Sequence, residues 1–370
     1  MKKLTDIPFL KLMASIVIFT PLLAVHAVDY TWQGGDSVYT DVGASGWAGG
    51  PPDLGGGDTA TIDSGAIEYV AGGDFIIGAG KYFTMNGGSF IQSGSGSWMK
   101  IGNAAGGGTV TVGAGASFTL GTAGRLLIGD FGKVGILHID GGTYNATGAL
   151  TEVGDGSLVT SILELSGTAD ANLGTLEIYK GAILAHGGSL DYSGIDFKSG
   201  SFTIDGATVT QSAGNLSVNA NSDFSLSSGH FSVASGLFVA DGGSSSISGG
   251  TFTAGQLSFT SDDVIDFAGG VIHLDGSSSE GILTTGGTQY LNFTSGSVGS
   301  LFIDNLDESG LTSLLSDGRI RMDGVTNEAF FSATVDGSGY SISAIPEPSA
   351  LVMVLLGLIP VITFLRRRQS

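Results

Sequence analysis

Apolar and polar residues change places at every second position in a series of short runs along the first half of the chain. Phe83-Thr84-Met85, Val110-Thr111-Val112, Leu137-His138-Ile139 and Leu163-Glu164-Leu165 each put two apolar side chains on one side and a polar one on the other. That is the period of a half-buried β-strand. The runs alternate with a recurring signature: Ile77-Gly78, Ile101-Gly102-Asn103, Ile128-Gly129-Asp130 and Val153-Gly154-Asp155 follow one another at a nearly constant spacing. Gly-rich corners close the four units at Gly87-Gly88-Ser89-Phe90, Gly115-Ala116-Ser117-Phe118, Gly141-Gly142-Thr143-Tyr144 and Gly167-Thr168-Ala169. Looser copies continue at Gly229-His230-Phe231, Gly249-Gly250-Thr251-Phe252, Gly269-Gly270-Val271-Ile272 and Gly296-Ser297-Val298.

A unit this short cannot bury its own apolar face, so it must stack on its neighbours. The pattern predicts an all-β fold, a β-solenoid (β-helix) of about nine coils between residues 77 and 298, roughly 45 Å long at ~4.8 Å per rung. Residues 63–300 are assigned to the solenoid. Residues 28–62, with Trp32, Trp47 and Gly49-Gly50-Pro51-Pro52, are expected to form an N-terminal cap. A C-terminal cap is expected over 301–345. It would hold a short helix with Leu311, Leu314 and Leu315 on one face, then strands near 319–322 and 330–335, covering an otherwise open sheet edge.

Composition narrows the class further. Glycine accounts for 64 of 370 residues, which works against helices because each interior Gly costs about 1 kcal/mol relative to Ala. Only 7 Pro and no Gly-X-Y period exclude collagen, and 42% hydrophobic residues with 20 Phe supply the apolar surface that disordered chains lack. The net charge is −20. Eight basic residues lie between Val28 and Ile345, too few and too scattered for a nucleic-acid partner. With no cysteine there is no disulfide framework and no Cys-ligated zinc.

The two ends read as addresses. Lys2, Lys3 and Lys11 precede an apolar run from Leu12 to Val25 and then Val25-His26-Ala27, the three parts of a signal peptide over 1–27. Signal peptidase is expected to cut between Ala27 and Val28. At the other end, Ile345-Pro346-Glu347-Pro348-Ser349 leads into an apolar stretch from Ala350 to Leu365 and then Arg366, Arg367 and Arg368. As a helix this stretch reaches about 24 Å, enough for a transmembrane helix in a slightly thinned bilayer of ~30 Å. The three arginines would stay cytoplasmic and leave the body of the chain outside.

The tail over 346–370 resembles the PEP-CTERM sorting signal of bacterial exported proteins, in its Pro346-Glu347-Pro348 motif, single apolar helix and terminal basic cluster. The resemblance implies an exosortase-like membrane protease as processing partner and an exopolysaccharide context as a further one. It also implies an inner-membrane intermediate that is later released to the cell surface or extracellular matrix. The body resembles the β-solenoids of large exported surface proteins, autotransporter passenger domains among them. It departs from an autotransporter in having no C-terminal stretch of alternating ten-residue strands for a membrane barrel.

Chemistry is sparse. There is no Gly-x-Ser-x-Gly elbow, His-Glu-x-x-His helix or dinucleotide fingerprint. Gly80-Lys81 resembles a phosphate loop only superficially, with Tyr82 where Ser or Thr is needed and Phe75 where the first Gly belongs. His138, His186, His230 and His273 would be solvated strand residues or a stacked ladder. Asp130, Asp155 and Asp241 are turn residues with the oxygen chemistry for calcium, but the calcium β-roll nonapeptide is absent. The densest acidic group is Asp262-Asp263 with Asp266, and no Lys or Arg stands between Lys198 and Arg319. The expected function is therefore a non-enzymatic structural protein with no cofactor, metal site or catalytic residue. The rival readings are a β-helix polysaccharide-degrading enzyme, which needs converging carboxylates, and a glycan-binding adhesin.

Overall fold

The computed structural model describes residues 29–32, 36–39 and 59–345, apart from 71–72, 94–97, 122–123, 158, 261, 276–280 and 285–287. Ala27, Val28, Trp47, the Gly49–Pro52 turn and the whole 346–370 tail, with Pro346, Glu347, Pro348, Arg366, Arg367 and Arg368, lie outside these residues.

The chain winds into a β-solenoid of about nine turns. Three parallel sheets form its walls, and each full turn contributes one segment to each. In the first sheet the inward residues Ile62, Met85, Val112, Ile139 and Leu165 lie directly under one another. The same column continues through Ala185, Ile204, Leu226, Ile247, Phe267 and Phe293. The second sheet stacks Ile67, Phe90, Phe118, Tyr144, Ala171 and Leu190, and later Phe231, Phe252, Ile272 and Leu301. The third stacks Ile77, Ile101, Ile128, Val153, Ile178 and Phe197.

Alternation in the sequence becomes alternation across the wall. Ala116–Leu120 buries Ala116, Phe118 and Leu120 and leaves Ser117 and Thr119 part-exposed. Because every rung repeats this choice, the buried residues join into one core running the length of the rod. Its rings fall into groups: Phe75, Phe83, Phe90, Phe118 and Tyr144 near the start, then Phe202, Phe224, Phe231, Phe238 and Phe252. Smaller aliphatic side chains such as Leu163, Ala171, Leu176, Ile183 and Ala185 fill the interior between the groups.

Coil length changes at that aliphatic stretch. From Ile62 through Met85, Val112 and Ile139 to Leu165 the first column advances by long steps, and from Leu165 through Ala185, Ile204, Leu226 and Ile247 to Phe267 every step is shorter. Much of the difference sits in one corner. The connection from the third sheet to the next first-sheet strand is long at 102–107, 129–134 and 154–161, and short at 179–181 and 198–200.

Glycine is required where consecutive coils come closest. A Cβ on Gly250 would stand 2.6 Å from the Gly229 carbonyl oxygen, and one on Gly270 2.4 Å from that of Gly250. Both also have positive φ, which L side chains rarely adopt.

Three expectations need correction. Residues 28–62 are not a separate cap at their described positions: Asp29–Trp32 pairs in parallel with Thr59–Ile62, and Asp36–Tyr39 with Ala66–Tyr69. Trp32 is buried above Ile62 as a core residue of the solenoid rather than a lid over it. The fourth and last glycine corners are displaced. Ala171, not Ala169, lies on Tyr144, and Leu301, not the exposed Val298, lies on Ile272. Extra residues in those corners shift the strand start by two or three positions. The third correction concerns the far end, where Ser300–Ile303 and Ile320–Met322 still belong to the parallel ladders. The closing elements come around and after them. Helix Glu308–Ser316 is N-capped by Asp307, whose side chain accepts from Gly310 N, and it buries Leu314 with Leu311 and Leu315 packed alongside. The hairpin Phe331–Asp336 and Gly339–Ala344 then pairs antiparallel with Ser300–Ile303 and ends the second sheet.

Candidate functional site

Outward ladders show what the rod presents. On the first sheet the outer positions run Thr61, Thr84, Thr111, His138, Glu164, Leu184, Thr203, Ser225, Ser246, Asp266 and Asn292. Small hydroxyl residues dominate it. The second sheet is similar, with Ser89, Ser117, Thr143, Asp170 and Ser189 in register.

The third sheet differs over its first half, where charge and aromatic residues collect outside. Lys100 Nζ lies 3.2 Å from Asp74 and 3.3 Å from Asp130, and 5.2 Å from the Trp98 ring centroid. Burial works against its charge, but the two carboxylates outweigh that and hold the ammonium above its usual range. Arg125 pairs with Glu152 and stacks 5.0 Å from Trp98. These groups are consumed by one another, and between them they cover Leu127, an outward residue that is nevertheless buried.

At the change of coil length lies a notch of about 700 Å³. Ser157 and Thr160 of the last long connection form one side. Tyr179, Lys180, Lys198, Ser199, Ser201, Asn221 and Asp223, from the short corners of the following coils, form the rest. Tyr179 packs against Gly156, where a Cβ would stand 2.3 Å from its ring. Lys198 pairs with Glu177, lies 3.6 Å from Asp196 and 5.5 Å from the Tyr179 centroid, and its bond to Glu177 holds it above the ordinary lysine range. Lys180 is different. It is exposed, makes no ion pair among the described residues, and has φ 60°, and Asn221, which also lines the notch, has φ 71°. Ser199 Oγ accepts from the Lys180 backbone N–H at 3.1 Å and fixes that turn.

The residues singled out from sequence mostly serve the coils. Asp263 accepts from Gly242 N at 2.7 Å, Asp262 from Thr288, and Asp266 from Asn292 Nδ2 at 2.8 Å. Each carboxylate thus binds a neighbouring coil, and the three do not converge on one point. Asp155 accepts from Gly132 N at 2.7 Å and Ser157 N at 2.9 Å, Asp130 faces Lys100, and Asp241 accepts from Thr260. His138 pairs with Glu164 on the first sheet, whereas His230 and His273 belong to the second, so the histidines do not stack as a ladder. Among the described residues no group of three or more His, Asp or Glu side chains is placed to hold a metal ion, and no helix is long and apolar enough to cross a membrane.

Sequence reading missed the notch, though it left a mark. After Ile77-Gly78, Ile101-Gly102, Ile128-Gly129 and Val153-Gly154, the next repeat at the same spacing is Ile178-Tyr179, where the glycine fails. Comparison with protein-family models, curated proteins and solved structures finds no match to this chain.

Proposed function

We propose that the protein is an exported, non-enzymatic rod of the cell surface or extracellular matrix. In this reading signal peptidase removes residues 1–27, and the apolar tail then holds the chain in the inner membrane with Arg366, Arg367 and Arg368 on the cytoplasmic side. An exosortase-like membrane protease acts at or near Pro346-Glu347-Pro348 and releases the rod. Proline disfavours helix at its own and the preceding position, so Pro346 and Pro348 suit a site whose backbone a protease must reach.

The observation that carries the reading is the union of that tail with a hydroxyl-covered solenoid. Stacked coils persist without disulfides because backbone pairing and core are continuous. Between Val28 and Ile345 the chain holds 32 acidic and eight basic residues, a single-sign surface that keeps such rods apart. Ser and Thr ladders offer many weak contacts to exopolysaccharide. The carboxylates that an enzyme would need are spent on coil-to-coil hydrogen bonds, which favours the structural reading over the polysaccharide-degrading one. The test is Glu347→Ala in the native host. A membrane-retained precursor of higher mass is expected, and unchanged mass and location would refute the sorting role.

A further inference from the structure

We infer that the notch bounded by Tyr179, Lys180, Asn221 and Asp223 binds a carboxylated saccharide, a uronate unit within a polysaccharide chain.

Gly102, Gly129 and Gly154 turn the matching corner of the earlier coils with positive φ, and the register puts Tyr179 at their position, so that the positive φ falls one residue later, on Lys180. Lys180 holds a left-handed backbone that glycine adopts freely and lysine resists. The Lys180 side chain is exposed and makes no ion pair among the described residues. What it adds is an ammonium group at the mouth of a notch, on a chain whose other charges are mostly acidic. No lysine or arginine follows Lys198 until Arg319.

The rest of the lining selects the ligand's other half. Thr160, Ser199 and Ser201 are hydroxyls, Asn221 offers both a donor and an acceptor, and Asp223 only accepts when ionised. A ligand that satisfies them carries many hydroxyls and one anionic group: the hydroxyls donate to Asp223 and exchange hydrogen bonds with the serines, and the carboxylate meets Lys180. A phosphate diester group would meet Lys180 but has no hydroxyl of its own to donate to Asp223. Peptide side chains would find little apolar lining besides Tyr179. The volume of about 700 Å³ falls within the range of small-molecule sites. This inference rests on the proposed function only for where such a polymer would be met.

The test is calorimetric titration of the full chain, in mild detergent, with a galacturonic acid oligomer, its methyl ester, a neutral glucan oligomer and a Lys-Glu peptide. The acid oligomer should bind saturably and its ester at least tenfold more weakly. Lys180→Gln should remove that difference, while Lys81→Gln, elsewhere on the rod, should leave it intact. Lys180→Gly should weaken binding of the acid and at the same time raise the thermal midpoint, because it relaxes the backbone. A residue kept for stability would show the opposite. Absence of saturable binding, equal binding of acid and ester, tighter binding of the peptide, or insensitivity to both Lys180 variants would each overturn the inference. Export plays no part in this measurement. A chain that binds uronate but is neither cleaved nor exported would refute the proposed function alone.

Discussion

Two buried tyrosines separate what a hydroxyl does from what a ring does. The Tyr144 hydroxyl lies 3.1 Å from Thr151 Oγ1, with both residues inaccessible, and burial pushes its pKa far above the phenol range despite that bond. Tyr192 is equally enclosed and shifted the same way by burial, but its hydroxyl finds no partner among the described residues. Tyr144→Phe should therefore cost about 1 kcal/mol by leaving Thr151 unpaired, whereas Tyr192→Phe should be neutral or stabilising. Ser245 poses the same question on the first sheet, between Phe224 and Ile265 in the inward column, with its hydroxyl buried and unpartnered among the described residues. Ser245→Ala should stabilise by about 1 kcal/mol. Denaturant midpoints for the three variants check all of this, and a loss of stability in Ser245→Ala would contradict it.

At the level of the element, the connections decide the outer shape. The long corner 154–161 is held to the preceding corner by Asp155, which accepts from Gly132 and Ser157 backbone N–H groups. Burial raises the Asp155 pKa, but these hydrogen bonds outweigh it and hold the carboxyl below its usual value. A lowered folded-state pKa gives stability that is present above about pH 4, near the unfolded value, and lost as pH falls through the folded one. Amide hydrogen exchange at Gly132 and Ser157 should accelerate between pH 4 and pH 2 beyond the intrinsic trend. In Asp155→Asn, which cannot gain or lose that charge, the acceleration should disappear. Persistence of the effect in the variant would move the cause elsewhere.

For the whole molecule, each coil touches only its neighbours, so damage should stay local. The C-terminal hairpin is the sharpest place to test this. Ile342 is fully buried over Leu301, and Phe331 packs 5.3 Å from Phe293. Ile342→Asp would bury an unpaired charge and should unseat the hairpin, uncovering the edge of Ser300–Ile303. The expected outcome is a chain that keeps its far-UV β signature yet associates as concentration rises, read by light scattering. A monodisperse variant would show that the hairpin does not guard that edge.

Alternating apolar residues and recurring Ile-Gly corners made the class, the coil number and the inward columns legible from sequence, because both are local demands: a strand face must be apolar at every second residue, and a corner in close contact must lack a Cβ. The same logic located the cap helix through Leu311, Leu314 and Leu315. Local pattern did not place Trp32 in the core, align Ala171 under Tyr144 or bring Lys180 and the distant Asn221 to one notch. Those are matters of register between coils, and register depends on how many residues each corner absorbs. Only stacking in three dimensions decides that, and it is stacking that turns an exchanged glycine at Tyr179 into the wall of a notch.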